Sequence, residues 1–405
     1  MSSGKLAFVL GIRPDVIRAA LILEKLRQYS DMETVFIWSG QHYSDNLKSI
    51  FFRELNVAPA EIDLGCRGDN DAEIVATLIS RLYPVIDELR PAATVFLGDT
   101  NTTTGAISCA LLNVPIVHIE GCMRSYDWRM PEEKYRTTID HLSDVIYAYF
   151  DEYKEQGVRE GLNPDNIVVV GNPIVDILNR YYFTEADKYA EMASDDFFWK
   201  RGIRKRNYYL MTCHRRENVH NRESLESILR LVSKADAPVY FPASYRTQKV
   251  IREFDLQLPP SLILVDPIGY EEFLCLLVNS RGVLTDSGTV VEEACVLDVP
   301  SVQMRRSTER PQVYDVGASV KFDPSEPEKY APEIVMQKLQ SLFGKKWQHN
   351  LGDGKTSERI ATDLHRRFVE DEFSRHKPAN YRIPIARSYR EDGIRLLAAD
   401  ALQNV

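Results

Sequence analysis

The stretch TVFLGDTNT, residues 94–102, joins a short apolar strand to an abrupt polar turn that begins at Gly98. Asp99 stands directly after this strand, Glu120 follows the next apolar stretch, VPIVH, and Glu132 lies in the first turn of a predicted helix. In an open parallel sheet, ligands bind in the crevice at the carboxyl ends of the strands. We therefore expect the three carboxylates to share one site, and carboxyl groups gathered in this way are suited to proton transfer.

Two of these carboxylates also have a local explanation when they are considered singly. Asp99 would cap the helix that follows it, and Glu132 would complement the positive end of a helix dipole. Three such residues on neighbouring strand–helix units, with His118 and Arg124 close in sequence, favour one shared site over three separate local roles.

The composition is that of a globular protein and excludes several functional classes. With 405 residues, the chain is expected to form about two domains. A formal net charge of −9 provides no bulk attraction to nucleic acid or to an anionic membrane. No apolar run approaches the roughly 20 residues that span a bilayer, and no signal-peptide pattern follows Met1, so a cytoplasmic location is expected. The six cysteines form no CxxC pair, which argues against a zinc site or a disulfide framework.

Repeated strand–helix units surround the opening stretch. Apolar strands are predicted at 6–10, 34–38, 94–97, 114–118, 145–149 and 167–170, with helices at 16–29 and 71–89. This alternation predicts an α/β fold with a doubly wound parallel sheet. After the first strand, GIRPD places Arg13 just before Pro14 at a helix start, where a phosphate would approach. Because GxGxxG is absent, no dinucleotide fingerprint is indicated.

A second series of the same kind begins near residue 208. Its strands are predicted at 208–211, 239–241, 262–265, 282–284 and 301–304. We predict two doubly wound, Rossmann-like domains that face each other across a cleft, residues 1–183 and 184–374, followed by a C-terminal extension, residues 375–405. The charged, irregular sequence from 184 to 206 is interpreted as the link between the two domains.

A candidate phosphate site lies in the second series, where the motif DSGT carries Ser287 and Gly288 between an apolar strand and a helix. Glycine there lets backbone N–H groups approach an anion at the helix N-terminus. Arg13 from the other domain and His214 would bind a diphosphate from opposite sides, and Glu293 would accept hydrogen bonds from ribose hydroxyls. The alternative for the Ser-Gly pair is a plain helix cap. The Walker motif GxxxxGK[ST] is absent, so ATP hydrolysis is not indicated.

Several short motifs occur in a fixed order along the chain. They are GIRP at 11–14, GQH at 40–42, GDT at 98–100, HIE at 118–120, PEE at 131–133, HRRE at 214–217, DSG at 286–288, EE at 292–293 and TERP at 308–311. As a set they resemble the non-hydrolysing UDP-N-acetylglucosamine 2-epimerase family, and the resemblance runs from about residue 6 to 370.

The resemblance implies a two-domain fold of the GT-B type with UDP between the domains, a homodimer, and a reaction without metal or NAD. It implies that a carboxylate removes the C2 proton of a 2-acetamido sugar, that UDP leaves C1 to give a 2-acetamidoglycal, and that re-addition inverts C2. By the same resemblance Asp99, Glu120 and Glu132 carry the proton transfers, and His214 stabilises the departing diphosphate. The implied substrate-binding residues are Arg13, Gln41, His42, Arg136, Ser287, Gly288, Glu293 (ribose), Arg310, and Tyr270 with Phe273 (uracil).

Departures from the family pattern leave the identity of the sugar open. The short loop 124–129 and the DSGT form are more similar to a branch that acts on other UDP-2-acetamido sugars, including those of L-fucosamine synthesis. Cys122 occupies a position where the family has glycine, so it is expected to be strained if its φ is positive.

Three rival interpretations share parts of this pattern. A hydrolysing 2-epimerase would add water at C1 and release UDP with a free N-acetylmannosamine-type sugar. A glycosyltransferase of the GT-B type would share the fold but has no need for carboxylates around C2. A non-catalytic UDP-sugar sensor would keep Ser287, Gly288 and Glu293 without requiring the three carboxylates.

Overall fold

The computed structural model describes residues 4–40 and 52–374 and contains two parallel β-sheets. Within the described residues, the first sheet has seven strands in the order β3-β2-β1-β4-β5-β6-β7. Their bounds are β1 Gly4–Leu10, β2 Met32–Trp38, β3 Ile62–Asp63, β4 Ala93–Leu97, β5 Ile116–Ile119, β6 Val145–Ala148 and β7 Ile167–Val169.

The second sheet has six strands in the described part of the chain, in the order β10-β9-β8-β11-β12-β13. They are β8 Tyr209–Thr212, β9 Val239–Pro242, β10 Leu262–Val265, β11 Val283–Thr285, β12 Ser301–Met304 and β13 Ser319–Phe322. The predicted α/β fold with two doubly wound sheets is therefore confirmed. The edge strands β3 and β13 were not predicted, because both are short and carry polar residues on half-exposed positions.

Helices cover both faces of each sheet, as parallel strands require. In the first half of the chain they are α1 Arg13–Leu26, α2 Asp71–Leu89, α3 Ala106–Leu111, α4 Pro131–Leu142, α5 Asp151–Arg159, α6 Pro173–Tyr181, α7 Ala186–Met192 and α8 Asp195–Trp199. In the second half they are α9 Arg216–Val219, α10 Arg222–Val232, α11 Tyr245–Glu253, α12 Tyr270–Val278, α13 Gly288–Val296, α14 Gln312–Asp315, α15 Pro332–Leu342 and α16 Thr356–Val369. The helix predicted at 71–89 is confirmed with the same bounds. No helix among the described residues is long and apolar enough to cross a membrane.

The candidate site residues lie at the point of each sheet where the order of the strands reverses. In the first sheet the reversal lies between β1 and β4, so the turns at Ile12 and Asp99 flank one crevice. In the second sheet it lies between β8 and β11, which end just before His214 and Ser287. Because ligands of open α/β sheets bind at such switch points, the fold brings both candidate motifs to the positions where a ligand would bind.

The segment from 184 to 206, which is predicted to link the two domains, is helical over much of its length. It forms α7 and α8, and the Ser194 side chain accepts a hydrogen bond from the Phe197 N–H (3.3 Å) at the start of α8. Phe198 is buried while its charged neighbours are exposed. Both helices are short, so their few apolar positions did not establish a helical period.

The last described helix, α16, packs against the first sheet's unit rather than the second. The Asp176 carboxylate accepts hydrogen bonds from the backbone N–H groups of Thr356 (3.2 Å) and Ser357 (2.7 Å). The Tyr147 hydroxyl donates to Asp363 in the same helix (2.9 Å). Residues 356–369 therefore pack against the first unit, although they belong to the range 184–374 that is predicted as the second domain. The predicted extension, residues 375–405, lies outside the described residues.

Replacing Asp176 with alanine should lower the free energy of unfolding by about 1–2 kcal/mol, because two N–H groups at the start of α16 lose their acceptor. Denaturant unfolding would measure the loss. The matched control is Asp353→Ala, since Asp353 is half-exposed and its ion pair with Arg359 lies at the surface. Equal effects of the two substitutions would show that Asp176 does not fasten α16.

Candidate active site

A cavity of about 210 Å³ lies between the carboxyl edges of the two sheets. The first sheet's unit contributes Ile12, Pro14, Arg18, Asp71, Asp99, Thr100, Asn101, Pro131, Glu132 and Tyr135. The second contributes His214, Arg215, Arg216, Arg246, Ser287, Gly288, Thr289 and Arg310. Motifs that are far apart in the sequence thus meet in one cavity, as the strand-end pattern predicted.

Asp99 is held at this cavity by an arginine. The Arg136 guanidinium donates to Asp99 Oδ2 from Nη2 (2.7 Å) and from Nε (3.1 Å). Burial would raise the pKa of Asp99, but the positive charges of Arg136 and Arg215 outweigh that effect and lower the pKa. Asp99 is therefore an anion with a fixed orientation, while Arg136 itself is buried behind it and does not line the cavity.

Glu132 differs from Asp99 because one of its oxygens is unused. It lies in the first turn of α4, and its buried Oε2 has no hydrogen-bond partner among the described residues. The next residue, Glu133, is by contrast saturated by the N–H groups of Ser125 (3.0 Å) and Tyr126 (2.9 Å) and by Arg136. A buried carboxylate oxygen without a donor is costly, so it marks the point where the cavity would accept a proton or a hydroxyl.

Glu120 does not line the cavity but lies directly behind two residues that do. Its Oε1 contacts Arg310 from the second unit, and its Oε2 contacts Arg18 of α1 and the Tyr149 hydroxyl (3.3 Å). The backbone at Glu120 has φ 77°, in the left-handed region, which turns the side chain out of the strand direction. Cys122 also has a positive φ, 64°, so the strain expected at that position is confirmed.

Arg310 connects the two units at this point. Besides Glu120 it contacts Glu292 Oε1 (2.5 Å), and its buried Nε has no hydrogen-bond partner in the described part of the chain. That nitrogen lies so close to Gly288 that a Cβ on Gly288 would collide with it. Glycine is therefore required at this position, because the helix N-terminus and the guanidinium share the same small space.

The second sheet contributes the cationic wall of the cavity. Ser287 caps α13, since its Oγ accepts from the Val290 N–H (3.3 Å). Arg215 has a buried Nη1 with no hydrogen-bond partner among the described residues. The Asp286 carboxylate accepts from the backbone N–H groups of His214 (3.0 Å) and Arg215 (2.9 Å), which holds this turn in place and leaves the His214 ring half-exposed at the cavity. Helix N-terminus, imidazole and guanidinium together form a site for an anion.

Three predicted ligand residues form a separate buried group. The Tyr270 hydroxyl donates to Glu293 Oε1 (2.8 Å), and Phe273 packs at the edge of the same core. Burial raises the pKa of Glu293 to about 8, so this carboxyl is protonated at neutral pH. Neither Glu293 nor the two aromatic residues line the cavity, and Arg13 is likewise not among the residues that line it. Gln41 and His42 lie outside the described residues.

Some cavity residues were missed by the sequence analysis as ligand candidates. Arg216 forms an ion pair with Asp71 across the cavity (Nη2 to Oδ1, 2.6 Å), and Arg246 and Tyr135 stand beside this pair. Arg216 lies two residues after His214 and, like His214, follows the end of a predicted strand. The rule that residues after a strand end face the ligand could therefore have selected Arg216 as well. Asp71 follows no predicted strand directly, and only the packing of α2 brings it there.

Comparison with known proteins identifies similar chains over nearly the whole length. The profile of the family described as UDP-N-acetylglucosamine 2-epimerase matches residues 24–365. The UDP-N-acetylglucosamine 2-epimerase of Methanocaldococcus jannaschii is 34% identical, over 89% of this chain and 98% of its own. The UDP-2,3-diacetamido-2,3-dideoxy-D-glucuronate 2-epimerase of Pseudomonas aeruginosa is 31% identical, over 89% of this chain and 99% of its own. The crystal structure of the M. jannaschii enzyme with UDP-GlcNAc and UDP superposes with a TM-score of 0.81 at 33% identity, covering 89% of this chain and 99% of that one.

Proposed function

This chain belongs to the UDP-N-acetylglucosamine 2-epimerase family, and from that premise we propose that it inverts C2 of a UDP-2-acetamido sugar, with UDP-GlcNAc as the first candidate substrate. The proposed reaction removes the C2 proton and expels UDP from C1 to give a 2-acetamidoglycal. UDP then adds back to C1 while C2 takes a proton on the opposite face.

One observation supports this proposal above the others: unsatisfied donors and an unsatisfied acceptor border the same cavity. Arg215 Nη1 and Arg310 Nε are buried donors without hydrogen-bond partners among the described residues, both residues line the cavity, and Arg310 Nε lies beside Gly288 at the N-terminus of α13. Glu132 Oε2 is a buried acceptor of the same kind in the wall contributed by the first unit. A diphosphate would satisfy the donors, and the sugar attached to it would then lie toward the carboxylates.

The charges of the site fit the proposed bond changes. As the C1–O bond breaks, negative charge develops on the diphosphate oxygen, and His214, Arg215 and Arg310 would stabilise it. The C2–H electron pair forms the C1=C2 double bond while its proton passes to a carboxylate. Glu132 is our first candidate for that carboxylate, because it is the one with a free buried oxygen at the cavity. Asp99, held anionic by Arg136, would act on the same carbon as its partner.

Glu120 would take part in proton transfer only after Arg18 and Arg310, which separate it from the cavity, have moved. A bound diphosphate would compete with Glu120 for Arg310, whose Nε already faces the N-terminus of α13 at Gly288. Substrate binding would then draw positive charge from Glu120 and open it toward the sugar. The opposing interpretation, that Glu120 serves only to orient Arg18 and Arg310, predicts that Glu120→Gln changes UDP affinity more than C2 exchange.

NMR of the protein with UDP-GlcNAc in deuterated water, with nothing else added, tests the proposed function. Deuterium at C2 together with UDP-ManNAc is the expected result. Free UDP with ManNAc would instead assign the chain to a hydrolysing 2-epimerase. Absence of exchange with UDP-GlcNAc, and with UDP-2-acetamido-6-deoxyhexoses and UDP-2,3-diacetamido uronates, would refute a 2-epimerase function.

The homodimer and the cytoplasmic location stay predictions. The UDP-sugar partner is supported by the UDP-GlcNAc and UDP found in the crystal structure of the M. jannaschii relative. The proposed ribose and uracil roles of Glu293, Tyr270 and Phe273 would require the side chains around α12 and α13 to rearrange when UDP binds, because all three now lie outside the cavity.

A further inference from the structure

One face of α4 carries three charged residues at intervals of four, Glu132, Arg136 and Asp140. Residues four apart lie above one another on the same side of a helix. Glu132 lines the cavity, and Arg136, one turn further along α4, holds the Asp99 carboxylate (Nη2 to Oδ2, 2.7 Å). Asp140 follows after another turn and is completely buried, and the proposed proton transfers do not involve it.

Asp140 contacts a histidine that lies in β5. His118 Nδ1 and Asp140 Oδ1 are 2.7 Å apart, and both side chains are completely buried. Asp140 Oδ2 accepts hydrogen bonds from the backbone N–H of Cys122 (3.0 Å) and from Arg124 Nη1 (2.7 Å). Burial would raise the pKa of Asp140, but the charge of Arg124 and the contact with His118 outweigh that effect and lower the pKa. The carboxylate is therefore a fixed acceptor that orients the imidazole ring.

The other nitrogen of this ring contacts the turn that carries Asp99. His118 Nε2 lies 2.8 Å from the carbonyl oxygen of Gly98, the residue directly before Asp99. A carbonyl oxygen can only accept a hydrogen bond, so Nε2 must donate. Gly98 has φ 85°, where the chain turns out of β4, and its own N–H donates to the Ile119 carbonyl in β5 (3.1 Å). Both polar groups of the Gly98 backbone are thus held by β5.

Asp99 is in this way connected to α4 at two points. The Arg136 guanidinium holds its carboxylate, and the buried aspartate–histidine pair holds the carbonyl that precedes it. A single contact at the carboxylate would leave the backbone free to shift, whereas contacts at both ends fix the position and the direction of the side chain. Because Glu132 lies in the first turn of the same helix, α4 sets the distance between Asp99 and Glu132.

The proposed reaction requires such a fixed distance. One carboxylate takes the proton from one face of C2 and the other gives a proton to the opposite face, so both must stay within reach of the same carbon. A displacement of about 1 Å can slow a step of this kind roughly 100-fold.

A buried histidine–carboxylate pair can also serve stability alone, since each polar group satisfies the other. Here, however, the carbonyl that binds His118 directly precedes one of the two proposed carboxylates. The aspartate of the pair belongs to the helix that begins with the other one. This double connection to the reacting groups favours a role in the reaction.

We propose that His118 is a positioning residue for the inversion of C2, and that its hydrogen bond to the Gly98 carbonyl fixes Asp99 relative to Glu132. The inference rests on the proposed function and on Asp99 and Glu132 being the two carboxylates that act at C2. His118 does not line the cavity, so it neither touches the substrate nor transfers a proton to it.

Two substitutions at His118 separate its two hydrogen bonds. In His118→Gln the side-chain amide nitrogen takes about the place of Nε2 and can still donate to the Gly98 carbonyl. In His118→Asn it takes about the place of Nδ1 and can donate only to Asp140. Each variant loses the ring and one buried hydrogen bond, so each controls for the general loss of stability in the other. Deuterium incorporation at C2, KM, UDP affinity and melting temperature are measured for both.

For His118→Asn we expect a kcat of C2 exchange lowered roughly 10- to 100-fold, with KM and UDP affinity within about threefold of the wild type, because the substrate still binds while Asp99 is displaced. His118→Gln should keep kcat within about threefold of the wild type. Equal kcat values in the two variants would overturn the inference, whether both stay near the wild type or both fall. Loss of UDP binding in His118→Asn would overturn it as well, since it would show a purely structural role.

Nitrogen NMR of the His118 ring in the wild-type protein adds a test that does not depend on how the variants fold. The inference requires a hydrogen on Nε2, and an Nε2 without hydrogen would overturn it. A wild-type protein that exchanges C2 of none of the UDP-sugars would refute the proposed function itself. Wild-type exchange together with unchanged exchange in His118→Asn would refute only the positioning role.

Discussion

Replacing Glu132 with glutamine is expected to slow C2 proton exchange by about 100- to 10,000-fold, the usual contribution of a positioned general acid or base. Glutamine keeps the shape of the side chain but cannot take a proton from carbon. Because Glu132 contacts neither Arg215 nor Arg310 through a hydrogen bond, UDP affinity should stay within about threefold of the wild type. Deuterium incorporation measured by NMR and calorimetric titration with UDP give the two quantities.

The chain offers a matched control for this substitution. Glu333 stands in the first turn of α15 directly after a proline, as Glu132 does in α4, but it lies at the surface in an ion pair with Lys234 (2.7 Å). Glu333→Gln therefore reproduces the change in helix-dipole interaction without touching the cavity. Near-normal C2 exchange in Glu132→Gln would show that Glu132 does not transfer the proton. If the variant loses both UDP binding and C2 exchange, Glu132 instead maintains the structure of the site.

Replacing Arg310 with methionine is expected to lower the free energy of unfolding by about 3–5 kcal/mol, which is the usual cost of removing one partner from a buried ion pair. Arg310 is 3% exposed and contacts Glu120 and Glu292, so its loss leaves Glu292 without an ion-pair partner among the described residues and Glu120 with Arg18 alone. UDP affinity should fall as well, because Arg310 Nε is one of the free donors beside the N-terminus of α13. Denaturant unfolding and UDP titration measure the two effects.

Arg366→Met serves as the control for this second prediction. Arg366 also pairs with acidic residues, here Asp363, Glu370 and Glu372, but its side chain is 42% exposed. The loss of exposed ion pairs should cost at most about 1 kcal/mol. If Arg310→Met lowers the free energy of unfolding no more than Arg366→Met does, the buried carboxylates of Glu120 and Glu292 must become protonated or hydrated with little loss of stability. In that case Arg310 would not be the element that joins the two units.

Much of the fold followed from local patterns. Apolar runs of three to five residues, each ended by glycine or a polar turn, located most of the strands, because a strand covered on both faces must be apolar throughout. The helix at 71–89 was located with the same bounds because its long apolar period is clear. The helices between 184 and 206 were missed, since five to seven residues do not establish a period.

The sequence by itself determined which chemical groups stand at the carboxyl ends of the strands, because a residue that follows a parallel strand necessarily lies at that edge. The sequence alone therefore predicts that Asp99, His214 and Ser287 lie at the strand-end edges where one cavity is found. Only the tertiary structure decided which carboxylates face that cavity. Glu120 is turned by a positive φ toward Arg310, a partner 190 residues away, whereas Glu132 keeps one oxygen free. Side-chain direction and long-range ion pairing depend on how two separate sheets meet, and no local period in the sequence carries that information.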